Sequence, residues 1–221
     1  MNPVIVALDV PALEDAVALA EQLGDSVGGL KVGLELFTAH GPDAVAACKD
    51  HRVMLDLKMH DIPTTVARAV SSVRSLNVEL LTVHALGGRA MLEAANDAKR
   101  DEKILAVTIL TSLDDAQLKE LSLPPANEAV PLLAELAFAS GCDGVVCAPP
   151  DIELVRRVCP QPFLIVTPGV RPAGSDTDDQ ARMLTPRQAI ENGADRLVIG
   201  RPITRAPDPR GAAEAILEEL R

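Results

Sequence analysis

Residues 4–33, VIVALDVPALEDAVALAEQLGDSVGGLKVG, hold two short apolar runs with an amphipathic stretch between them. The runs at 4–9 and 28–33 are nearly continuous in apolar residues and glycine, which is typical of strands buried on both faces in parallel sheets. Between them, 11–23 opens with Pro and acidic residues and then repeats its apolar residues with the period of a helix. This part of the chain therefore predicts a strand, a helix and a second strand.

The same alternation continues along the rest of the chain. Further apolar runs predict strands at 52–58, 79–84, 103–109, 143–148, 162–167 and 195–200. Further helical patterns lie at 63–76, 88–98, 113–121, 128–140, 150–158, 186–192 and 211–220. Eight strands alternating with helices in 221 residues predict an α/β protein with one (β/α)8 TIM-barrel domain over 1–221.

A doubly wound open sheet is the alternative for a chain of alternating strands and helices. Such a sheet does not require eight strands, and no G-x-G-x-x-G sequence follows the first strand. No shift in composition marks a second domain. The one unusual connection, 168–185, is long and rich in Pro, Gly and Asp, which is typical of functional or disordered loops.

Charge and composition limit the possible partners. The chain carries 21 basic and 32 acidic side chains, a net charge of −11, whereas general nucleic-acid binding needs a basic face. One small anion can still bind, because a local pocket can be basic on an acidic protein. No apolar run approaches the ~20 residues that span a bilayer, so we expect no membrane segment.

The cysteines and histidines give little support to a metal site. The four cysteines form no C-x-x-C pair, and the four histidines form no H-E-x-x-H motif. The amino-terminal sequence lacks the basic and apolar segments of a signal peptide. We therefore expect a reduced, cytoplasmic protein without a metal, whose cysteines are small buried apolar residues.

Charged residues interrupt the apolar runs near their carboxyl ends, where barrels hold their active sites. Asp9 ends the first run, Lys31 lies in the second, and Asp56 and Lys58 lie in the third, with Asp61 just beyond. Asp56 and Lys58 are two residues apart, so on a regular strand both side chains point to one face. One such charge alone could be a strand end that reaches water. A converging set of alternating sign predicts a catalytic cluster, because buried charges are costly unless they pair.

The end of the last run predicts a phosphate site. Barrels often bind phosphate with the loops after the seventh and eighth strands. Gly200 lets main-chain N–H groups approach an anion, Arg201 offers two N–H donors, and Gln180 in the long connection adds another. Gly200 alone would equally fit a simple tight turn. His84, at the end of the fourth run, could be structural or catalytic, and we expect His60 to be a loop residue.

Several short sequences lie in a fixed order over nearly the whole chain. They are ALD (7–9), KVG (31–33), DLKMHDIPTTV (56–66), VHALGG (83–88), TILTS (108–112), TPGVRP (167–172), Gln180 and VIGRPIT (198–204). In these sequences the chain resembles the orotidine 5′-monophosphate decarboxylase family. The D-x-K-x-x-D run is shared with barrel enzymes that act on sugar phosphates. Lys31, together with the TPGVRP and VIGRPIT sequences, makes the match to this family specific. Thr64 and APPD (148–151) depart from the bacterial pattern and lie outside the charge cluster.

The resemblance implies decarboxylation of orotidine 5′-monophosphate to UMP and CO2, the last step of UMP biosynthesis, without a cofactor. It also implies a homodimer with shared active sites. The catalytic residues would be Lys31, Asp56, Lys58 and Asp61. The substrate-binding residues would be Asp9, Lys31, Ile62, Thr65, Thr111, Pro168, Arg171, Gln180, Gly200 and Arg201.

The resemblance further divides these residues among the parts of the substrate. Asp9 and Lys31 would meet the ribose hydroxyls, together with Thr65 of the partner subunit. Thr111 and Pro168 would contact the pyrimidine, and Ile62 would line the apolar side of the site. The phosphate would lie against Gln180, Gly200 and Arg201, and Asp61 of the partner subunit would complete the charge network.

The expected mechanism is electrostatic. Loss of CO2 leaves a carbanion at C6 that has no conjugated sink, so the protein must stabilise this charge itself. We expect the Lys58 ammonium to stabilise the carbanion and then to protonate it. Asp56 would lie near the departing carboxylate, where repulsion between like charges favours loss of neutral CO2.

Two other functions stand as alternatives. A sugar-phosphate decarboxylase or aldolase of the same barrel group would use Mg²⁺ to stabilise an enediolate. Such enzymes tend to place a carboxylate where this chain has Lys31, because Mg²⁺ prefers oxygen ligands. A non-enzymatic phosphate-binding protein would not need Asp56, Lys58 and Asp61 together. Sensitivity of the activity to EDTA would favour the Mg²⁺-dependent enzyme. Failure to turn over any nucleotide would favour the phosphate-binding protein.

Overall fold

A computed structural model of the protein describes residues 1–171 and 184–220. Eight parallel strands form a closed barrel, in which each strand pairs with the next and β8 pairs with β1. The strands are β1 Val4–Ala7, β2 Gly29–Val32, β3 Val53–Met59, β4 Leu80–His84, β5 Lys103–Val107, β6 Gly144–Val146, β7 Leu164–Pro168 and β8 Arg196–Ile199. The predicted (β/α)8 barrel is confirmed, and the open sheet is excluded.

Helices connect the strands and cover the outside of the barrel. In the described part of the chain they are α1 Leu13–Leu23, α2 Leu34–His40, α3 Pro42–Ala46, α4 Pro63–Val73, α5 Gly88–Ala98, α6 Asp115–Glu120, α7 Ala126–Ala139, α8 Ile152–Val158, α9 Pro186–Glu191, α10 Arg201–Thr204 and α11 Pro209–Glu219. None of these helices is long and apolar enough to cross a membrane.

The alternation of side chains along the strands separates two hydrophobic clusters. Outward strand residues such as Val6 and Leu30 pack with buried residues of the helices. A second cluster fills the inside of the barrel with side chains of Ile5, Ala7, Met54, Leu80, Leu105, Val107, Val146, Val166 and Val198. On β2 the inward positions are Gly29 and Lys31, which pair in register with Ile5 and Ala7. Lys31 is therefore a charged residue at an inward position of the barrel.

The connection from β2 to β3 differs from the sequence analysis, which predicts no helix there. The structure has α2, of seven residues, and α3, of five. Gly41 separates them with a φ of 57°, in the left-handed region that favours glycine, and Pro42 begins α3. The break comes before an apolar pattern of helical period extends over two full turns, so neither helix has a clear signal. The four-residue α10 is too short to give one.

The long connection after β7 lies mostly outside the described residues. Its described ends are joined, because the main-chain N–H of Arg171 donates to the carbonyl oxygen of Leu184 at 3.1 Å. The chain then enters α9 through a capping box in which Thr185 and Gln188 exchange side-chain hydrogen bonds with main-chain N–H groups. The connection therefore leaves and returns beside the carboxyl end of β7.

Candidate active site

Four polar side chains lie directly above the apolar interior, at the carboxyl ends of β1 to β4. Asp9, Lys31, Asp56 and Thr82 each follow an inward position of their own strand by two residues. The polar layer thus continues the inward rows of four neighbouring strands. Because parallel strands end at the same edge, these side chains converge on one small volume.

Three ion pairs link the charged members of this layer. Lys58 Nζ lies 2.8 Å from Asp56 Oδ2, and Lys31 Nζ lies 3.7 Å from the same oxygen. Lys31 Nζ also lies 3.1 Å from Asp9 Oδ1. We call Asp9, Lys31, Asp56 and Lys58 the charge cluster. Its charges alternate in sign from one end to the other.

The charge cluster is buried at its centre and open at both ends. The side chains of Lys31 and Asp56 are each 11% exposed, whereas that of Lys58 is 30% exposed and that of Asp9 65%. Removing an ion from water costs several kcal/mol, so the central pair depends on its neighbours for compensation. The open ends leave Lys58 and Asp9 accessible to a ligand that enters from the carboxyl end of the barrel.

Lys58 reaches Asp56 by a route that differs from simple alternation along a strand. Its φ is 49°, in the left-handed region, which costs on the order of 1–3 kcal/mol for a residue other than glycine. The pairing of β3 with β4 shifts register between Leu55 and Met59. Bulges of this kind redirect side chains next to active sites. The predicted strand through Lys58 is confirmed, as is the meeting of the two side chains, but the strand is irregular at this point.

Thr82 is a member of the site that the sequence analysis missed. It is fully buried, and its hydroxyl donates to Asp56 Oδ1 at 2.9 Å. The hydroxyl oxygen of Thr82 in turn accepts the main-chain N–H of Lys58 at 2.9 Å. The available signal was a hydroxyl at an inward position of the otherwise apolar run at 79–84.

His84 packs beside the charge cluster without joining its ion pairs. It is buried, its ring stacks on that of His60 with centroids 5.3 Å apart, and its Nδ1 accepts the N–H of Leu86 at 3.4 Å. Burial lowers the pKa of His84, and the nearby His60 and Lys58 lower it further. The imidazole is therefore neutral near pH 7, which avoids another positive charge beside Lys58.

Two glycines leave room around the open end of the cluster. A Cβ at Gly33 would lie 2.9 Å from Lys31 Nζ, and one at Gly200 would lie 3.7 Å from Asp9 Oδ2. Gly200 thus brings the end of β8 next to the end of β1. Arg201 follows at the start of α10 and is exposed. Of the predicted phosphate residues, Gly200 therefore adjoins the charge cluster and Arg201 follows it directly.

Three of the expected site residues lie outside these ion pairs in a single chain. Asp61, Ile62 and Thr65 are all exposed, at the end of the β3–α4 connection and the start of α4. One carboxylate oxygen of Asp61 accepts the main-chain N–H of Ile62 at 2.7 Å. Ile62 is 67% exposed, which is unusual for a large apolar residue.

The remaining expected residues surround the mouth of the barrel. Thr111 is exposed in the loop after β5, and Pro168 is half-buried at the end of β7. Arg171 is half-buried where the long connection begins. Gln180 lies outside the described residues.

The position of Lys31 bears on the metal-dependent alternative. Its ammonium lies between the Asp9 and Asp56 carboxylates and pairs with both. Within 1–171 and 184–220, no three His, Cys, Asp or Glu side chains are grouped so that they could hold a metal ion. Lys31 thus supplies the positive charge that these two carboxylates need.

Comparisons with known proteins agree over almost the full length. A family model described as "Orotidine 5'-phosphate decarboxylase / HUMPS family" matches residues 2–216. Orotidine 5′-phosphate decarboxylase of Trichlorobacter lovleyi is 51% identical, with 99% of this chain and 95% of that protein covered. The Moorella thermoacetica protein of the same name is 50% identical, with 99% and 92% covered. A crystal structure of orotidine 5′-phosphate decarboxylase from Lactobacillus acidophilus superposes with a TM-score of 0.88 at 40% identity, covering 100% of both chains.

Proposed function

This chain belongs to the orotidine 5′-phosphate decarboxylase family, and we propose that its charge cluster converts orotidine 5′-monophosphate to UMP and CO2. The reaction is the last step of UMP biosynthesis. The observation that carries the proposal is the position of the Lys58 ammonium, 2.8 Å from Asp56 and partly open to solvent. A cation held in this way can face a reacting carbon on its open side.

The chemical step follows from the charges of the cluster. The bond between C6 and the carboxylate breaks, CO2 leaves as a neutral molecule, and the electron pair stays on C6. The Lys58 ammonium stabilises this carbanion and then transfers a proton to C6 to give UMP. Lys58 regains its proton from water after the product leaves.

Asp56 and Lys31 have supporting roles in this step. Asp56 orients Lys58 through its contact at 2.8 Å, and its carboxylate repels the carboxylate of the substrate, which favours loss of CO2. Lys31 holds Asp56 and Asp9 in place through its contacts at 3.7 and 3.1 Å. Asp9, at the open end, accepts hydrogen bonds from the ribose hydroxyls. Lys31 donates hydrogen bonds to the same hydroxyls.

Residues around the mouth of the barrel bind the phosphate and the pyrimidine of the substrate. Gly200 and Arg201 bind the phosphate, with Arg171 and Gln180 of the long connection. Thr111 and Pro168 contact the pyrimidine. Binding energy from the distant phosphate can then serve the reaction at C6, because it positions the base over Lys58 and excludes water.

A homodimer with shared sites completes the proposal. The exposed side chains of Leu34, Ile62, Leu86 and Leu110 follow the carboxyl ends of β2 to β5, on one side of the mouth. Exposed apolar surface of this kind is typical of an interface between proteins. A partner seated there covers these residues and brings its own Asp61, Ile62 and Thr65 towards the charge cluster. The four cysteines are free and buried, which supports a reducing, cytoplasmic location.

Replacement of the proposed proton donor tests the function. We expect Lys58→Ala to lower turnover of orotidine 5′-monophosphate at least ~10⁴-fold, because both charge stabilisation and proton transfer are lost. UMP binding, measured by calorimetry, should remain. Lys103→Ala is the matched control, because Lys103 is exposed at the amino end of β5. Near-normal turnover by Lys58→Ala would contradict the mechanism.

A further inference from the structure

We propose that Thr82 is a positioning residue that sets the geometry of Asp56 and Lys58 for catalysis. The inference rests on the proposed function, because its main test is measured on the decarboxylation. Thr82 is fully buried on β4, so its hydroxyl is closed to the substrate. It must therefore act through the two charged residues that it contacts.

One hydroxyl group holds both residues at once. It has a single hydrogen, which it donates to Asp56 Oδ1 at 2.9 Å, and its lone pairs accept the Lys58 N–H at 2.9 Å. The other carboxylate oxygen of Asp56 faces the two lysines, at 2.8 Å from Lys58 Nζ and 3.7 Å from Lys31 Nζ. Each oxygen of Asp56 thus has its own partners, and the carboxylate cannot rotate without losing one of them.

The contact with the Lys58 N–H depends on the irregularity of β3. In the main-chain hydrogen bonds of the sheet, Val53 faces β4, so regular alternation would point the Lys58 N–H towards β2. Here the register shift between Leu55 and Met59 changes the pairing, and the Thr82 hydroxyl is the acceptor instead. A residue with a φ of 49° persists only where its surroundings hold it, and Thr82 supplies part of that hold.

The test separates a positioning role from a role in packing. Thr82→Val keeps the shape of the side chain and removes both hydrogen bonds. We expect kcat to fall about 10²-fold, as for a misplaced catalytic group, with KM and UMP affinity changed by less than about threefold. Thr82→Ser restores the hydroxyl and should return kcat to within about threefold of the wild-type value.

A second buried threonine provides the matched control. Thr108 is as buried as Thr82, but its hydroxyl donates to the main-chain oxygen of Val146 at 3.1 Å, away from the charge cluster. Thr108→Val should keep the wild-type kcat. Wild-type kcat in Thr82→Val, equal losses in the two valine variants, or no rescue by serine would each overturn the inference.

Two further measurements test the inference if Thr82→Val does not fold or if the wild-type protein has no decarboxylase activity. If Thr82→Val does not fold, Thr82→Cys replaces it in the test, because a thiol is a weak hydrogen-bond donor of similar size. We expect kcat of Thr82→Cys to fall with KM unchanged. A wild-type kcat would overturn the inference. If the wild-type protein does not decarboxylate the substrate, the proposed function fails alone. Hydrogen exchange then decides: the Lys58 amide should exchange at least ~10-fold faster in Thr82→Val than in Thr82→Ser, and equal rates would overturn the inference.

Discussion

Lys31 shows how one side chain can organise a whole site. Its ammonium contacts Asp9 at 3.1 Å and Asp56 at 3.7 Å, and its side chain is 11% exposed. It occupies an inward position of β2, where the other inward residue is Gly29. A Cβ at Gly29 would lie 2.8 Å from the carbonyl oxygen of Arg52, so β2 and β3 approach closely there, while the stem of Lys31 adds apolar surface below its charged end. The charge on Lys31 is thus both buried and paired.

Arg201 should act on substrate capture more than on chemistry. It adjoins Gly200 at the mouth, away from Lys58, so Arg201→Ala removes a charged hydrogen bond to the phosphate and leaves the charge cluster intact. A hydrogen bond to a charged group contributes about 1.5–3 kcal/mol, which predicts a KM raised by roughly 10- to 100-fold with a smaller change in kcat. Steady-state kinetics measure both constants. Arg157→Ala, which removes an exposed arginine on α8, is the control.

A fall in kcat with an unchanged KM in Arg201→Ala would contradict this assignment. The same kinetics on Arg171→Ala would then show whether the other described arginine at the mouth binds the phosphate instead.

At the scale of elements, the short strand β6 depends on a close approach to β7. A Cβ at Gly144 would overlap the carbonyl oxygen of Leu164 and lie 2.9 Å from Leu105 Cδ2. Because a main-chain atom of β7 would have to move, we expect Gly144→Ala to lower the free energy of unfolding by about 1–3 kcal/mol. Urea unfolding followed by circular dichroism measures the change. Unaltered stability would mean that β6 and β7 can separate at no cost.

The elements differ in how well the sequence predicts them. Six strands lie within the predicted apolar runs, and β3 and β7 each extend one residue beyond theirs. The runs are apolar because both faces of the strands are buried, and the longer helices have a clear apolar period. The helices α2 and α3 are too short for such a period, and Gly41 separates them. The bulge in β3 has no signal in residue type, because its Lys58 is not a residue that favours a positive φ.

The charge cluster was predictable for the same physical reason as the strands. A charge inside an apolar run stands out, so Asp9, Lys31, Asp56 and Lys58 were found from the sequence. Thr82 was missed because a single threonine is an ordinary strand residue, and its two hydrogen bonds depend on the pairing of β3 with β4. The exposure of Asp61 was also not predictable from residue type, because it depends on how the chain folds around it.

At the scale of the whole molecule, the proposed dimer makes each site depend on two chains. We expect Lys58→Ala and Asp61→Ala to be nearly inactive alone, because each removes one member of every site. Joint refolding of the two variants should restore activity to about a quarter of the wild-type value, because half of the dimers are mixed and each mixed dimer has one intact site. Turnover of orotidine 5′-monophosphate measures the recovery.

A second mixture controls for recovery by other means. Lys58→Ala and Asp56→Ala remove two residues of the same subunit's site, so no mixed dimer of these variants contains an intact site. That mixture should stay inactive. Equal activity of the two mixtures would contradict the sharing of sites, and a monomeric wild-type protein in sedimentation would contradict the dimer itself.

The central claim is that this barrel decarboxylates orotidine 5′-monophosphate by means of its own charged side chains. The most direct measurement follows the ultraviolet absorbance of the substrate with the wild-type protein, with and without EDTA. The chain contains no Trp and no Tyr, so its own absorbance scarcely interferes. We expect loss of the orotate chromophore at the same rate in both samples. No loss of the chromophore, or loss that EDTA abolishes, would contradict it and favour the metal-dependent chemistry of sugar phosphates.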